Sequence, residues 1–181
     1  MDILQEKRLI EGIRHGDRAS LQELYESCAP ALIATIRRYV PDRQEAEDIL
    51  QNSFIKIIDN LDRFKPQKAG SLQAWMHSIS AHEAVSWLRK RSPLNFIPIL
   101  QDIPEEEDDE GTLFSGIGQE CIQEAIAKLP SGYRTVLNLY VFEDLSHKEI
   151  ARLLGISEGT SASQLHRARA MLYKLLKEAD K

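Results

Sequence analysis

Residues 146–177 read SHKEIARLLGISEGTSASQLHRARAMLYKLLK, and this stretch decides the fold of the chain. Ser146 followed by Glu149 predicts a capping box that begins a helix, and Gly155 suits the left-handed position that ends it. Ser157 is then expected to cap a second, longer helix. A short helix, a glycine turn and a longer helix are typical of a helix-turn-helix, whose second helix enters the major groove of DNA.

The second helix of this motif has two faces with different expected roles. Helical spacing predicts a buried face made of Ser161, Leu165, Ala168, Leu172 and Leu175. The opposite face carries Ser163, His166 and Arg167, with Thr160 beside it, and is predicted to contact DNA. The alternative is an ordinary corner between two helices of a bundle. DNA binding is favoured because the outer side is polar and cationic.

The length of 181 residues suits one or two small domains. No apolar run approaches the ~18 residues of a membrane span, and the charged N-terminus is not that of a signal peptide. Cys28 and Cys121 are isolated and lie among apolar helical positions, so we expect core thiols, and no metal site is predicted because metal sites need clustered ligands. We therefore expect a cytoplasmic protein without membrane insertion.

The net charge of −5 is concentrated in one short segment. Residues 101–111 contain seven acidic side chains and no basic one. In the segments before and after this run, the numbers of acidic and basic side chains are nearly equal. Prolines and glycines surround the run, and like charges keep a segment extended, so we predict an acidic flexible linker over residues 96–116. A nearly neutral domain can still bind DNA through a local basic face.

Hydrophobic periodicity predicts an all-α chain with two small helical domains, residues 1–95 and 117–181, joined by this linker. The first domain is expected to contain four helices. The second of them should kink or break near Pro30, because proline lacks the backbone N–H group and clashes with the preceding turn.

The third predicted helix has an unusual outer face. Asp48 and Asn52 point outward and Gln51 lies on the edge, yet the apolar Ile55 stands in the middle of the exposed side. An apolar side chain among polar ones suggests a surface for a protein partner. The alternative is an isolated exposed isoleucine, which is common on folded proteins.

The loop at residues 62–71 and the helix after it combine cations with aromatic rings. The features concerned are Arg63, Lys65 and Lys68 in the loop, then Trp75, Trp87 and the terminal Arg89, Lys90 and Arg91 in the helix. Rings that stack on bases and cations that hold phosphates are typical of a surface for single-stranded nucleic acid. The alternative is that both tryptophans are core residues and that the basic cluster stabilises the C-terminus of the helix.

With these features in place, the chain resembles the bacterial extracytoplasmic-function (ECF) sigma factors, the small two-domain initiation subunits of RNA polymerase. Three stretches carry the resemblance in the family's order: EAEDILQNSFIKIIDNLDRF (residues 45–64), SLQAWMHSISAHEAVSWLRKR (residues 71–91) and KLPSGYRTVLNLYVFEDLSHKEIARLLGISEGTSASQLHRARAML (residues 128–172). Three ordered matches are far more specific than a single helix-turn-helix.

The resemblance implies a transcription initiation factor that binds core RNA polymerase and promoter DNA, with an anti-sigma factor as a further candidate partner. Residues 1–95 would be sigma region 2, which binds the core through Asp48, Gln51, Asn52 and Ile55. The same domain would open the minus-ten element and capture a flipped base, using Arg63, Lys65, Lys68, Trp75, His82, Arg89, Lys90 and Arg91. Residues 117–181 would be sigma region 4, whose helix-turn-helix recognises the minus-thirty-five element through Thr160, Ser163, Gln164, His166 and Arg167.

Three positions depart from the usual pattern of the family. His82 stands where asparagine is frequent, Ala162 where lysine or arginine is usual, and Asn52 where an acidic residue is common. His82 leaves the identity of the captured base open, and Ala162 shifts more of the DNA contact to its neighbours. The acidic linker is either a plain tether or an imitation of an RNA backbone inside a cationic channel of the polymerase.

Other function classes have weaker support in the sequence. His82-Glu83 begins like a zinc-protease motif, but Ser86 stands where the second histidine must be. We see no glycine-rich phosphate loop and no nucleophile elbow, so no catalytic residue and no cofactor is predicted. The principal alternative is a helix-turn-helix regulator that binds operator DNA independently of polymerase. A third is a protein that only sequesters polymerase.

Overall fold

The computed structural model describes residues 1–91 and 119–179. Contacts divide the chain into two compact units, Met1–Arg91 and Ser92–Lys181. All regular elements within the described residues are helices, which confirms the predicted all-α fold. The predicted acidic linker, residues 96–116, lies outside the described residues.

Four α-helices and one 3₁₀ turn form the described part of the first unit: α1 (Ile3–Arg14), α2 (Arg18–Tyr39), α3 (Arg43–Asn60), the 3₁₀ turn (Leu61–Arg63) and α4 (Ser71–Arg91). α2 is the central element, because it packs against α1, α3 and α4. The first three helices begin at aspartates. The carboxylates of Asp2, Asp17 and Asp42 accept hydrogen bonds from backbone N–H groups in the first turns of α1, α2 and α3, as N-cap residues do.

Pro30 lies inside α2 without breaking it. The helix runs without interruption from Arg18 to Tyr39, so of the two predicted outcomes, a kink or a break, the break does not occur. A proline removes one backbone donor from a helix, which is a local loss. The ring of Pro30 is on the exposed side, and the buried side of α2 is held by three neighbouring helices. Tertiary packing therefore outweighs the local cost.

The second unit is described over four helices: α5 (Gln119–Lys128), α6 (Ser131–Val141), α7 (His147–Leu154) and α8 (Glu158–Ala179). α8 packs against α5, α6 and α7. α6 is the most deeply buried helix of this group, with Val136 and Leu139 fully shielded from solvent. The core of this unit thus lies between α6 and α8.

The local geometry of the helix-turn-helix, which consists of α7 and α8, is as predicted. The Ser146 hydroxyl accepts the backbone N–H of Glu149, and the Glu149 carboxylate accepts the backbone N–H of Ser146 at 2.9 Å. Gly155 ends α7 with a φ of +70°, in the left-handed region. The Ser157 hydroxyl accepts the N–H of Thr160 at 2.9 Å and so caps α8.

Arg134 on α6 ties this helix to the end of α5. The residue is 9% exposed, and its Nη1 donates to the carbonyls of Ala127 at 2.8 Å and Leu129 at 3.2 Å. Carbonyls at a helix C-terminus lack partners within their own helix, so this side chain supplies them. Burial lowers the pKa of Arg134, and the two carbonyls stabilise the charge that burial disfavours.

No helix in residues 1–91 and 119–179 is both long and apolar enough to cross a membrane. The same residues contain no group of three or more His, Cys, Asp or Glu side chains that could hold a metal ion. Cys28 is buried, as expected of a core thiol, and burial raises the pKa of its thiol, whereas Cys121 is only partly buried.

Candidate nucleic-acid interface

A groove of about 630 Å³ opens on the first unit between α3, the loop after it and α4. We call residues 61–71 the groove loop. Four of the residues predicted from sequence to contact the minus-ten element line this groove: Arg63, Lys65, Trp75 and His82. The structure therefore brings together side chains from the loop and from α4 that are up to 19 positions apart.

The groove also contains residues that the sequence analysis missed, namely Lys56, Asn60, Phe64 and Gln67. Phe64 stacks on Trp75 with ring centroids 4.8 Å apart and an angle of 25° between the planes. The spacing of Lys56 and Asn60, one helical turn apart at the end of α3, is a signal that was available in the sequence. The position of Phe64 between two cations of the groove loop is another.

The charge of the groove is positive. Lys56 forms an ion pair with Glu83 across the groove, so these two charges offset each other. Arg63 and Lys65 are exposed and form no ion pair within the described part of the chain. They are therefore available for an anionic ligand.

The other four predicted minus-ten residues, Lys68, Arg89, Lys90 and Arg91, do not line the groove. Lys68 and Lys90 are exposed. Arg91 pairs with Glu45 of α3, and its guanidinium lies 5.0 Å from the ring centroid of Trp87. Arg91 is thus occupied inside the unit. Trp75 and Trp87 are both half-buried, so neither belongs to the fully buried core.

The outer face of α3 has the predicted exposure. Asp48, Gln51 and Asn52 are exposed, and Ile55 retains 57% of its accessible surface. Ile58, one turn later and 38% exposed, extends the apolar part of this face and was missed in the sequence analysis. We call these five residues the α3 outer face. It has an apolar centre with polar neighbours.

Two of the five predicted DNA contacts on α8 are not on its outer side. Arg167 is 8% exposed, so its predicted outward orientation is wrong, and Gln164 is buried as well, with 1% of its surface exposed. The reason is that α8 packs against three helices, α5, α6 and α7, and a helix surrounded in this way buries more than one stripe. Thr160, Ser163 and His166 remain partly exposed. Leu176, rather than Leu175, completes the buried face.

α7 adds two cations that the sequence analysis did not single out. Lys148 and Arg152 are both exposed and lie one turn apart on this short helix. Their i, i+4 spacing was visible in the sequence. In a helix-turn-helix the first helix crosses the DNA backbone, which is where cations on it would lie.

A small network fixes α8 on the rest of the second unit. The His147 ring stacks on Tyr140 of α6, with centroids 4.8 Å apart. His147 Nδ1 is 3.0 Å from the hydroxyl of Ser161, which is fully buried on α8. The His147 side chain, at the start of α7, therefore links α7 to both α6 and α8.

A helix-turn-helix unit and a separate helical unit with a cationic aromatic groove define a DNA-binding protein of two parts. Comparison with known families agrees. The model "Sigma-70 region 2" matches residues 24–93, and the model "Sigma-70, region 4" matches residues 119–172. Together these segments make up more than half of the chain, and they are the two regions expected from the resemblance. The chain belongs to the sigma-70 family of RNA polymerase sigma factors.

Individual relatives point to the ECF group within this family, as the sequence resemblance indicated. The chain is 28% identical to the ECF RNA polymerase sigma factor SigW of Bacillus subtilis, over 98% of this chain and 100% of that one. It is also 28% identical to the RNA polymerase sigma-H factor of Pseudomonas aeruginosa, over 95% of this chain and 94% of the relative.

A solved structure with a similar fold is that of the sigma factor RpoE in complex with the anti-sigma factor NepR from Bartonella quintana. Its TM-score is 0.52 at 25% identity, over 87% of this chain and 96% of that one.

Proposed function

We propose that this chain directs core RNA polymerase to specific promoters, with a division of labour between its two units. Residues 1–95 act as sigma region 2, which binds the core and opens the minus-ten element. Residues 117–181 act as sigma region 4, which recognises the minus-thirty-five element. The observation that carries the proposal is the groove, where a stacked aromatic pair lies beside exposed cations and a histidine.

The groove has the chemistry needed to hold an unpaired base. Extruding a base costs a few kcal/mol, and stacking on an aromatic ring returns ~1–3 kcal/mol per base. Phe64 and Trp75 offer such rings, while His82 and Gln67 offer polar groups for the edge of the base. The volume of about 630 Å³ lies within the roughly 300–1,000 Å³ of ordinary ligand pockets. Arg63 and Lys65, which line the same groove, are the proposed contacts with the adjoining phosphates.

Recognition of the minus-thirty-five element falls to α8, supported by α7. The proposed base contacts are Thr160, Ser163 and His166, which remain accessible on the outer side of α8. Lys148 and Arg152 of α7 are proposed phosphate contacts, which position a protein on DNA without reading its sequence. Gln164 and Arg167 are buried, so we assign them to the packing that orients α8 rather than to base recognition.

The α3 outer face is the proposed contact with core polymerase. Ile55 and Ile58 provide an apolar centre, and Asp48, Gln51 and Asn52 provide polar groups around it. An apolar centre with a polar rim is the usual anatomy of a protein interface. Because the RpoE relative is held by an anti-sigma factor, a protein of that kind is a further candidate partner. No catalytic residue or cofactor is assigned.

The decisive experiment measures promoter binding and transcription with the full chain, core polymerase, or both. We expect specific transcripts only when the two are combined, and melted DNA at the minus-ten element in that sample. A helix-turn-helix regulator would instead protect a two-fold operator without core polymerase. A protein that only sequesters polymerase would bind the core and give no specific transcript. Either of these results would contradict the proposal.

A further inference from the structure

The groove loop is held at both of its ends by one helix, α1. Arg14, in the last turn of α1, contacts the beginning of the loop, and Glu6, in the first turn, contacts its end. The two residues are eight positions apart, or about 12 Å along a helix with a rise of ~1.5 Å per residue. The DNA-facing side of the groove contains neither of them.

The side chain of Arg14 holds the start of the loop through hydrogen bonds to the backbone carbonyls of the loop. Its Nη2 donates to the carbonyls of Leu61 at 3.2 Å, Asp62 at 3.0 Å and Phe64 at 3.2 Å. Its Nε also lies 3.5 Å from the Asp62 carboxylate. These carbonyls follow the end of α3, where helical hydrogen bonding stops and a partial negative charge remains, so a guanidinium is a matched partner.

Phe64 connects this anchor to the groove. Arg14 binds the carbonyl of the same residue whose ring stacks on Trp75 at 4.8 Å. Fixing the backbone at Phe64 restricts where its ring can lie. The hydrogen bond from Arg14, which lies outside the groove, therefore constrains the stacked Phe64–Trp75 pair inside it.

Glu6 holds the other end of the loop and the start of α4. The residue is fully buried, and its carboxylate accepts the N–H of Gly70 at 2.8 Å and the hydroxyl of Ser71 at 3.3 Å. Gly70 stands in the N-cap position, since its carbonyl accepts the first helical bond from Ala74, and it has no side chain to cap with. The carboxylate of Glu6 accepts the backbone N–H of this N-cap residue, which is the contact that the glutamate of a capping box makes, and it places a favourable charge at the N-terminus of α4.

We propose that α1 acts as a clamp that presets the groove loop for base capture, with Glu6 and Arg14 as its two positioning residues. The proposal rests on the function proposed above for the groove. A loop that is already ordered in the free protein loses less conformational entropy when DNA binds, and the smaller entropy cost gives tighter binding. Neither residue touches the base, so both act through Phe64 and the start of α4.

The first test compares Arg14→Ala with Arg8→Ala in the full chain. Arg8 is on the same helix and pairs with Glu23 of α2, away from the groove loop, so it is a matched control. We expect faster amide hydrogen exchange in residues 64–71 for Arg14→Ala only. In holoenzyme, the affinity for a single-stranded minus-ten oligonucleotide should fall roughly 5–30-fold, which corresponds to about 1–2 kcal/mol. Arg8→Ala should change neither quantity.

The second test uses Glu6→Gln, because a buried carboxylate is a position where larger changes risk unfolding the unit. Glutamine keeps an acceptor for Gly70 but loses the charge, so loop exchange should be intermediate between wild type and Arg14→Ala. Unchanged loop exchange in both variants would overturn the clamp. So would faster exchange with unchanged oligonucleotide affinity, provided that Trp75→Ala does weaken binding in the same assay.

Trp75→Ala also separates this inference from the proposed function. If removing that ring leaves oligonucleotide binding intact, the groove is not the base site and the function assigned to it fails. The assignment of the clamp to base capture is overturned with it. Loop exchange in the free chain, measured without DNA, then reports only whether α1 orders the loop.

Discussion

Phe64 and Trp75 stack with their ring centroids 4.8 Å apart, although ten residues of loop and helix separate them in the chain. The pair closes the groove loop on itself, because Phe64 lies near its beginning and Trp75 lies in the first two turns of α4. Cations on either side of Phe64 then face the same groove as both rings. The proposed minus-ten site therefore includes this contact as one of its walls.

Trp75→Ala should reduce promoter melting, and Trp87→Ala should not. Both tryptophans are half-buried on α4, but Trp75 lines the groove whereas Trp87 packs beside Arg91. Loss of one stacking ring should cost ~1–3 kcal/mol of single-strand binding. Permanganate footprinting of the two holoenzymes at the minus-ten element measures this difference. Equal melting by both variants would remove Trp75 from the site.

Ile55→Glu should weaken binding to core polymerase without unfolding the chain. Ile55 is 57% exposed, so the fold tolerates a charge there, but burying an unpaired carboxylate at an interface is costly. Leu4→Glu is a suitable control, since Leu4 is 75% exposed on α1 and lies outside the α3 outer face. Core affinity can be measured by fluorescence anisotropy. If both variants bind the core like wild type, Ile55 is only a surface residue.

His166→Ala and Arg167→Ala should have different effects although the residues are adjacent. His166 is partly exposed on α8, so its loss should relax sequence preference at one or two positions, at a cost of ~1–3 kcal/mol. Arg167 is buried, so its loss should lower the melting temperature of the second unit and weaken all promoters alike. Thermal denaturation and a panel of minus-thirty-five sequences distinguish the two. A shift in base preference with Arg167→Ala at unchanged stability would restore it as a contact residue.

The stability of the second unit should decrease on acidification through the capping box of α7. Hydrogen bonds from the Ser146 hydroxyl and then its backbone N–H lower the pKa of Glu149 below its ordinary value. In the pH interval between the lowered folded pKa and the ordinary unfolded pKa, the unfolded chain binds more protons, so stability rises with pH there. The contribution is complete above the ordinary pKa and is lost as pH falls through the folded one. Glu149→Gln should flatten this part of a pH titration of the melting temperature, and an unchanged profile would contradict the assignment.

Local signals in the sequence were sufficient for the helix-turn-helix. Ser146, Glu149, Gly155 and Ser157 act on residues within one turn, so their roles follow from spacing alone. The exposure of Ile55 followed from periodicity for the same reason. The cations Lys148 and Arg152 were equally visible, as a pair one turn apart, and were overlooked.

Features that depend on distant contacts could not be predicted in this way. Arg167 has outward spacing relative to a single buried stripe and Gln164 lies at the edge of that stripe, but the burial of both is set by three helices packed around α8. The partners of Glu6 are 64 and 65 residues away, so nothing near it in the sequence explains a buried carboxylate. The groove itself required Phe64 and Trp75 to meet, which only the folded chain decides.

Arg134 determines how this protein can be divided into fragments. Its side chain is buried and donates to the carbonyls of Ala127 and Leu129 at the end of α5. A fragment that begins at α6, which would be the obvious minimal reader of the minus-thirty-five element, removes both acceptors, so Arg134 loses these two hydrogen bonds. We therefore expect that a stable DNA-binding fragment must include α5, although none of the side chains of α5 is proposed to contact DNA.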